Sequence, residues 1–200
     1  MPSKKVSEFN ATWGICGFTS ALTHLYDSDP RLKSKIKWST PNTIRLGLLT
    51  EVVTFLKYVT VSRSDLINDL NKLNKALKSP SMDKGVAGFI PRAEEAVRNQ
   101  EKIANSNQYQ CALTPEALTL YLREMCVYPG ATLTTGADPG TQGILGLMNA
   151  KGELVHWVYR DAKGNVYNWG TVIPPQEWQT HEDGLGHDEL DHVGCHISFS

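Results

Sequence analysis

A cysteine, a histidine and an asparagine carry the chemistry this chain offers. Cys16 stands in Asn10-Ala11-Thr12-Trp13-Gly14-Ile15-Cys16-Gly17-Phe18-Thr19-Ser20-Ala21-Leu22, where apolar spacing predicts a helix opening at the cysteine. His156 begins the apolar segment Val155-His156-Trp157-Val158-Tyr159, and Asn168 lies on the next one. A thiol attacks as thiolate, and the unpaired N–H groups and dipole of a helix N-terminus favour negative charge there. An imidazole can take the thiol proton, and a carboxamide that accepts from one ring nitrogen can hold the other toward the sulfur. Nucleophile, base and orienter in that order are what a cysteine hydrolase needs, with the Cys16 thiol expected below its ordinary pKa.

The neighbours fit that chemistry. Gly14 and Gly17 bracket Cys16 and remove bulk where a substrate carbonyl must approach. The Cys16 backbone N–H, and the side-chain amide of Asn10 upstream, are candidate oxyanion donors. A hairpin turn centred near Ala162 puts His156 and Asn168 at or near opposed positions with the same parity, so both side chains share one face of the sheet. Asp161 is the rival orienter, but it sits roughly 16 Å further along the strand at ~3.3 Å per residue and belongs to the turn.

The elements that must hold these residues change character along the chain. The first part reads as helical over Gly17–Tyr26 and Ile44–Tyr58, the second opened by Thr40-Pro41. A capping box at Ser62-Arg63-Ser64-Asp65 leads the stripe Leu66, Ile67, Leu70, Leu73 and Leu77. Gly85 to Gly88 reads as loop, Pro91 to Ala104 as a polar helix, and Thr114-Pro115-Glu116 as the cap of a helix running to Met125. After Tyr128, short apolar segments at Gly143–Met148, Leu154–Tyr159 and Val166–Trp169 alternate with turn residues, and a last strand covers Gly194–Phe199. Helices first and strands later predict an α+β fold in a single domain over 1–200, with a helical insertion at about 42–106.

Composition narrows the classes. The 200 residues carry a net charge of −1, so no basic field argues for nucleic acid or for an anionic membrane surface. No apolar run is long enough to span a bilayer, and the N-terminus lacks a secretory signal, which predicts a chain that is cytoplasmic as synthesised. A nucleophile this near the start predicts an enzyme not held as a zymogen. The four cysteines, at 16, 111, 126 and 195, form no C-x-x-C pair; reduced thiols are expected, with Cys111 and Cys126 as inert core residues.

One other stretch is rich in ligand-type side chains. His181 to His196 contains His187 and His192, whose spacing is not that of a helical zinc pair, and no H-E-x-x-H occurs. It reads as a solvated acidic loop before the last strand, so no metal and no cofactor are expected. A metal-dependent hydrolase built on this His/Asp cluster is the alternative it leaves.

Asn10-x5-Cys16-Gly17-x-Thr19-Ser20-Ala21-Leu22 resembles the nucleophile helix of papain-like cysteine peptidases, the bacteriocin-processing bacterial members in particular. His156-Trp157-Val158-Tyr159 and Val166-Tyr167-Asn168-Trp169-Gly170 are similar to that clan's histidine strand and Asn/Asp strand. Asn10 stands where the family has glutamine, and Gly17 replaces its tryptophan beside the nucleophile. The resemblance implies a papain-like fold, with Cys16 as nucleophile, His156 as base and Asn168 as orienter. It implies an amide-cleaving enzyme: a protease, a peptidoglycan amidase or a glutamine deamidase. Its substrate would be a protein, a peptide or peptidoglycan. By analogy with exported bacterial effectors and toxins, a specialised secretion system and an immunity or inhibitor protein would be its partners. The remaining alternative is a non-catalytic binding module on a degenerate peptidase fold.

Overall fold

Helix α1 (Cys16–Ser28) owes its place to one apolar stripe, Phe18, Ala21, Leu22 and Leu25, all buried. It belongs to a computed structural model that describes residues 14–28, 40–103, 108–168, 170–182 and 192–199. Asn10 lies outside the described residues. Helix α2 (Pro41–Ser62) begins as its sequence predicts: the Thr40 hydroxyl accepts from the Thr43 N–H at 3.2 Å, and Pro41 occupies the first turn. Its apolar face runs from Ile44 to Val59.

Two local expectations need correction. The stretch from Ser62 to Asp65 is not a capping box: Ser62 ends α2, Arg63 closes it by donating its N–H to the Val59 carbonyl, and Arg63 pairs with Asp65. A short 3₁₀ turn (Ser64–Leu66) then leads into α3 (Ile67–Ala76). Gly85–Gly88 is not a loop either. Helix α4 (Gly85–Arg98) starts there and runs through Pro91, because the buried stripe Val86, Phe89, Ala93 and Ala96 continues on both sides of the proline. Helix α5 (Pro115–Glu124) is capped by Thr114, whose hydroxyl accepts from the Ala117 N–H.

The second half is a sheet of six strands: β1 (Thr132–Thr135), β2 (Gly143–Met148), β3 (Leu154–Arg160), β4 (Val166–Asn168), β5 (Thr171–Ile173) and β6 (His192–Ser198). All pairings are antiparallel, in the order β1-β6-β2-β3-β4-β5. Helix α6 (Pro175–Glu182) follows β5. The described residues therefore form an α+β fold with six α-helices and one antiparallel sheet, helices largely first and strands later.

Strand parity divides the burial. Trp157 and Tyr159 of β3 join α1, α2, α3, α4 and α5 in one large apolar cluster, which takes in the stretch around 42–106. Val158 turns the other way, into a smaller cluster with Leu145, Leu147, Val166, Ile173, Val193 and Trp178 of α6. Helix α1 lies against β3, and Gly17 permits the approach: a Cβ there would stand 3.4 Å from the Trp157 ring and 3.3 Å from Leu113. Among the described residues, no helix is long and apolar enough to cross a membrane.

Candidate active site

Cys16 is the first residue of α1, as its sequence predicts, and it is 6% exposed. The backbone N–H groups of Trp157, Gly17 and Cys16 lie close enough to its sulfur to favour the thiolate. Two of these donors are the unpaired N–H groups of a helix N-terminus, and the third belongs to the residue after His156 on β3. A hydrogen bond fixes the same junction, since the Ser20 hydroxyl donates to the Trp157 carbonyl at 3.1 Å.

His156 and Asn168 meet as parity requires. The register Tyr159↔Tyr167 and Arg160↔Val166, continued along the strands, sets Asn168 across from Val158 and one same-face step from His156. His156 Nε2–H donates to Asn168 Oδ1 at 2.8 Å, and the two side chains are 7% and 5% exposed. A carboxamide oxygen accepts only from a protonated nitrogen, so this bond selects the Nε2–H tautomer and leaves the basic lone pair of neutral imidazole on Nδ1. Asp161 stays in the turn: its carboxylate accepts from the N–H groups of Lys163 and Asn165 and from the Asn165 side chain.

Electrostatics at the sulfur differ from the expectation. Burial pushes the Cys16 thiol up to about 11, and the three N–H donors offset only part of that. Against an ordinary thiol the bias toward the neutral form is roughly 3 kcal/mol. Helix-terminal donors lower a thiol's pKa where water still reaches the sulfur; here the desolvation outweighs them. Burial, together with a smaller contribution from a charge on nearby Cys16, pushes the Cys111 thiol up to about 12. All four cysteines are free and buried.

The segment beside Cys16 is held by side chains that pattern reading does not single out. The Cys111 N–H donates to the Gly14 carbonyl, and the side chain of Asn74 on α3 accepts from the Ala112 N–H at 2.8 Å and donates to the Ala112 carbonyl at 2.9 Å. Asn74 is fully buried and also donates to the Leu70 carbonyl. A lone asparagine at the end of an apolar helical stripe gives no signal of such a role. The role of Trp157 is equally silent in sequence, because it acts through its backbone.

The His/Asp-rich stretch contributes little that is described. Residues 183–191, with His187, lie outside the described residues, as do the side chains of His181 and Glu182. His192 is exposed, and His196 donates Nε2–H to the Gln142 carbonyl at 3.2 Å. Among the described residues no group of three or more His, Cys, Asp or Glu is placed to hold a metal ion.

Compared with protein-family models, with curated proteins and with solved structures, the chain matches none.

Proposed function

We propose that this protein is a papain-like cysteine hydrolase acting on an amide bond, with Cys16 as nucleophile, His156 as base and Asn168 as orienter. The observation that carries the reading is the buried His156–Asn168 hydrogen bond, made one residue before the peptide whose N–H reaches the Cys16 sulfur. An imidazole held through Nε2 by a carboxamide has its lone pair committed to Nδ1, the nitrogen that serves a thiol.

The sequence of events follows from the protonation state. Because burial keeps the thiol neutral, its proton passes to His156 Nδ1 as the sulfur attacks the carbonyl carbon, rather than beforehand. The N–H groups at the start of α1 face the developing oxyanion. The His156 imidazolium then gives its proton to the departing amine. A water deprotonated by His156 opens the thioester and regenerates the thiol. Substrate that displaces water from the site strengthens each of these electrostatic interactions.

One observation favours a second reading. A sulfur this buried, with its pKa raised, also suits a thiol that only fills space in a non-catalytic binding module. Mass spectrometry after brief iodoacetamide treatment of the folded protein separates the two. The hydrolase reading expects Cys16 to react before Cys111, Cys126 and Cys195, and His156→Ala to slow that reaction at neutral pH. Equal rates at all four cysteines, unchanged by His156→Ala, would select the binding module.

A further inference from the structure

A groove of about 720 Å³ opens between α3 and the β2–β3 turn, and its β3 side is lined by Leu154 and Val155, the two residues that precede His156 in the chain. Leu73, Leu77, Leu154 and Val155 give it apolar walls, and Lys72, Lys78 and Lys151 stand around it. Lys72 is paired with Asp69, and the groove's carboxylate, Glu153, accepts from the Asn149 side chain. Among the described residues no ion pair involves Lys78 or Lys151. Two lysines outside any ion pair among the described residues, against the single carboxylate of Glu153, thus give this half-apolar groove a positive balance on the strand that carries His156.

Both lysines are presented by fixed backbone rather than by mobile tips. Lys78 follows α3 with φ +51°, the left-handed conformation in which glycine is the usual residue. Hydrogen bonds from Lys78 N–H to Lys75 O and from Ser79 N–H to Asn74 O hold it there. A lysine in that conformation costs the fold something that glycine would not, as does Gln100 in the same conformation after α4. Lys151 sits in a turn whose shape is set by Asn149, which accepts from the N–H groups of Lys151 and Glu153.

We infer that this groove takes the substrate of the proposed hydrolase, and that the substrate is a peptide carrying carboxylates, read by Lys78 and Lys151 while its apolar parts lie on Leu77, Leu154 and Val155. The inference rests on the cysteine-hydrolase reading for its chemistry, but its recognition element is separate from Cys16, His156 and Asn168. The aliphatic stems of the lysines add apolar surface to the walls, and their ammonium groups supply point charges at the rim. Lysine at a helix C-terminus also suits the helix dipole, which is the structural alternative for Lys78.

The experiment measures binding of two short fluorescent peptides to the full chain by anisotropy, one alternating Glu with Ala and the other Lys with Ala. The acidic peptide is expected to bind about 10-fold more tightly than the basic one, with the preference reversed in a Lys78→Glu, Lys151→Glu double variant. It should also slow iodoacetamide labelling of Cys16. Lys78→Gly serves as a control for the fold, because it relieves the strained φ while removing the charge; it should keep or raise the melting temperature and still weaken acidic-peptide binding. Equal affinity for the two peptides, or binding unaffected by any of these variants, would overturn the assignment even if Cys16 proved to be a His156-dependent nucleophile. Charge-dependent binding that leaves Cys16 labelling untouched would overturn the link between groove and nucleophile. Charge-dependent binding beside a Cys16 that ignores His156→Ala would instead retain the groove and remove the hydrolase.

Discussion

Ser20 and Trp157 are joined by a hydrogen bond of 3.1 Å from the hydroxyl of one to the carbonyl of the other, one helical turn beyond Cys16. The N–H of the same Trp157 reaches the Cys16 sulfur. Helix α1 therefore meets β3 at the two peptide units of Trp157, with β3 contributing main-chain atoms to both contacts. Such a junction is stiffer than one made by two long side chains, because few rotamers have to be frozen.

Asn168 and Asp161 should separate cleanly as orienter and turn residue. Asn168→Ala is expected to lower turnover on the order of 10- to 1000-fold with little change in fold, because it frees the tautomer and rotamer of His156. Asp161→Ala should cost stability of about 1 kcal/mol by removing the turn's hydrogen bonds, and leave the activity of the folded fraction near that of the parent. Thermal melts beside turnover measurements check both; a dead Asp161→Ala with a fully active Asn168→Ala would exchange the roles.

The pH dependence of Cys16 labelling follows from its raised pKa. In His156→Ala, where no base assists, labelling should follow the thiolate fraction of a thiol at about 11 and climb about 10-fold per pH unit between pH 7 and 9, while the parent should label faster at pH 7 and rise less steeply. The rate of carbamidomethylation at Cys16, followed by mass spectrometry across that range, is the measurement.

Acid should weaken the fold through His24. Burial lowers this histidine to about 4, while its Nδ1 is hydrogen-bonded to the Tyr159 hydroxyl and its ring stacks on Phe199 at 3.6 Å. A folded-state pKa below the unfolded value means that the unfolded chain binds the proton more readily, so stability is present above pH ~6.5 and falls as pH drops toward 4. The full loss is roughly 3 kcal/mol, read as a shift in urea midpoint, and His24→Gln should flatten that slope.

Gly146 on β2 should not tolerate a methyl group. A Cβ there would run into the Cys195 sulfur and stand 2.9 Å from the Trp157 ring. Gly146→Ala is expected to destabilise by about 1–3 kcal/mol and, by shifting Trp157, to slow Cys16 chemistry as well. Chemical denaturation and Cys16 labelling on the same sample test the two effects together.

Much of the candidate site was legible because it depends on local rules. Helical spacing set Cys16 at the start of α1, and strand parity brought Asn168 to the face of His156. Other elements depend on tertiary context. Strand β1, Thr-Leu-Thr-Thr, is polar and mostly exposed at a sheet edge, so no apolar alternation announces it. Strand β5 is three residues long, and α6 is a short, mostly polar helix anchored by Trp178. Pro91 suggested a helix start where packing carried a helix through. The thiol's raised pKa was invisible for the same reason: local donors can be read from position, whereas the depth of burial is made by distant segments such as 110–113.

The last strand of the sheet in chain order, β6, is not at its edge but between β1 and β2. Thr132 and Ser198, 66 positions apart, are neighbours across one of its pairings. A nascent chain therefore makes α1 and its nucleophile early, yet has to wait for β6 before β1 finds its partner and β2, already paired with β3, finds its second. Until then both strands offer open hydrogen-bonding edges, and closing so distant a pairing is slow. Synthesis and maturation of this protein are thus expected to favour low concentration or a chaperone that shields those edges, and truncation before His192 should yield aggregates rather than a smaller folded protein.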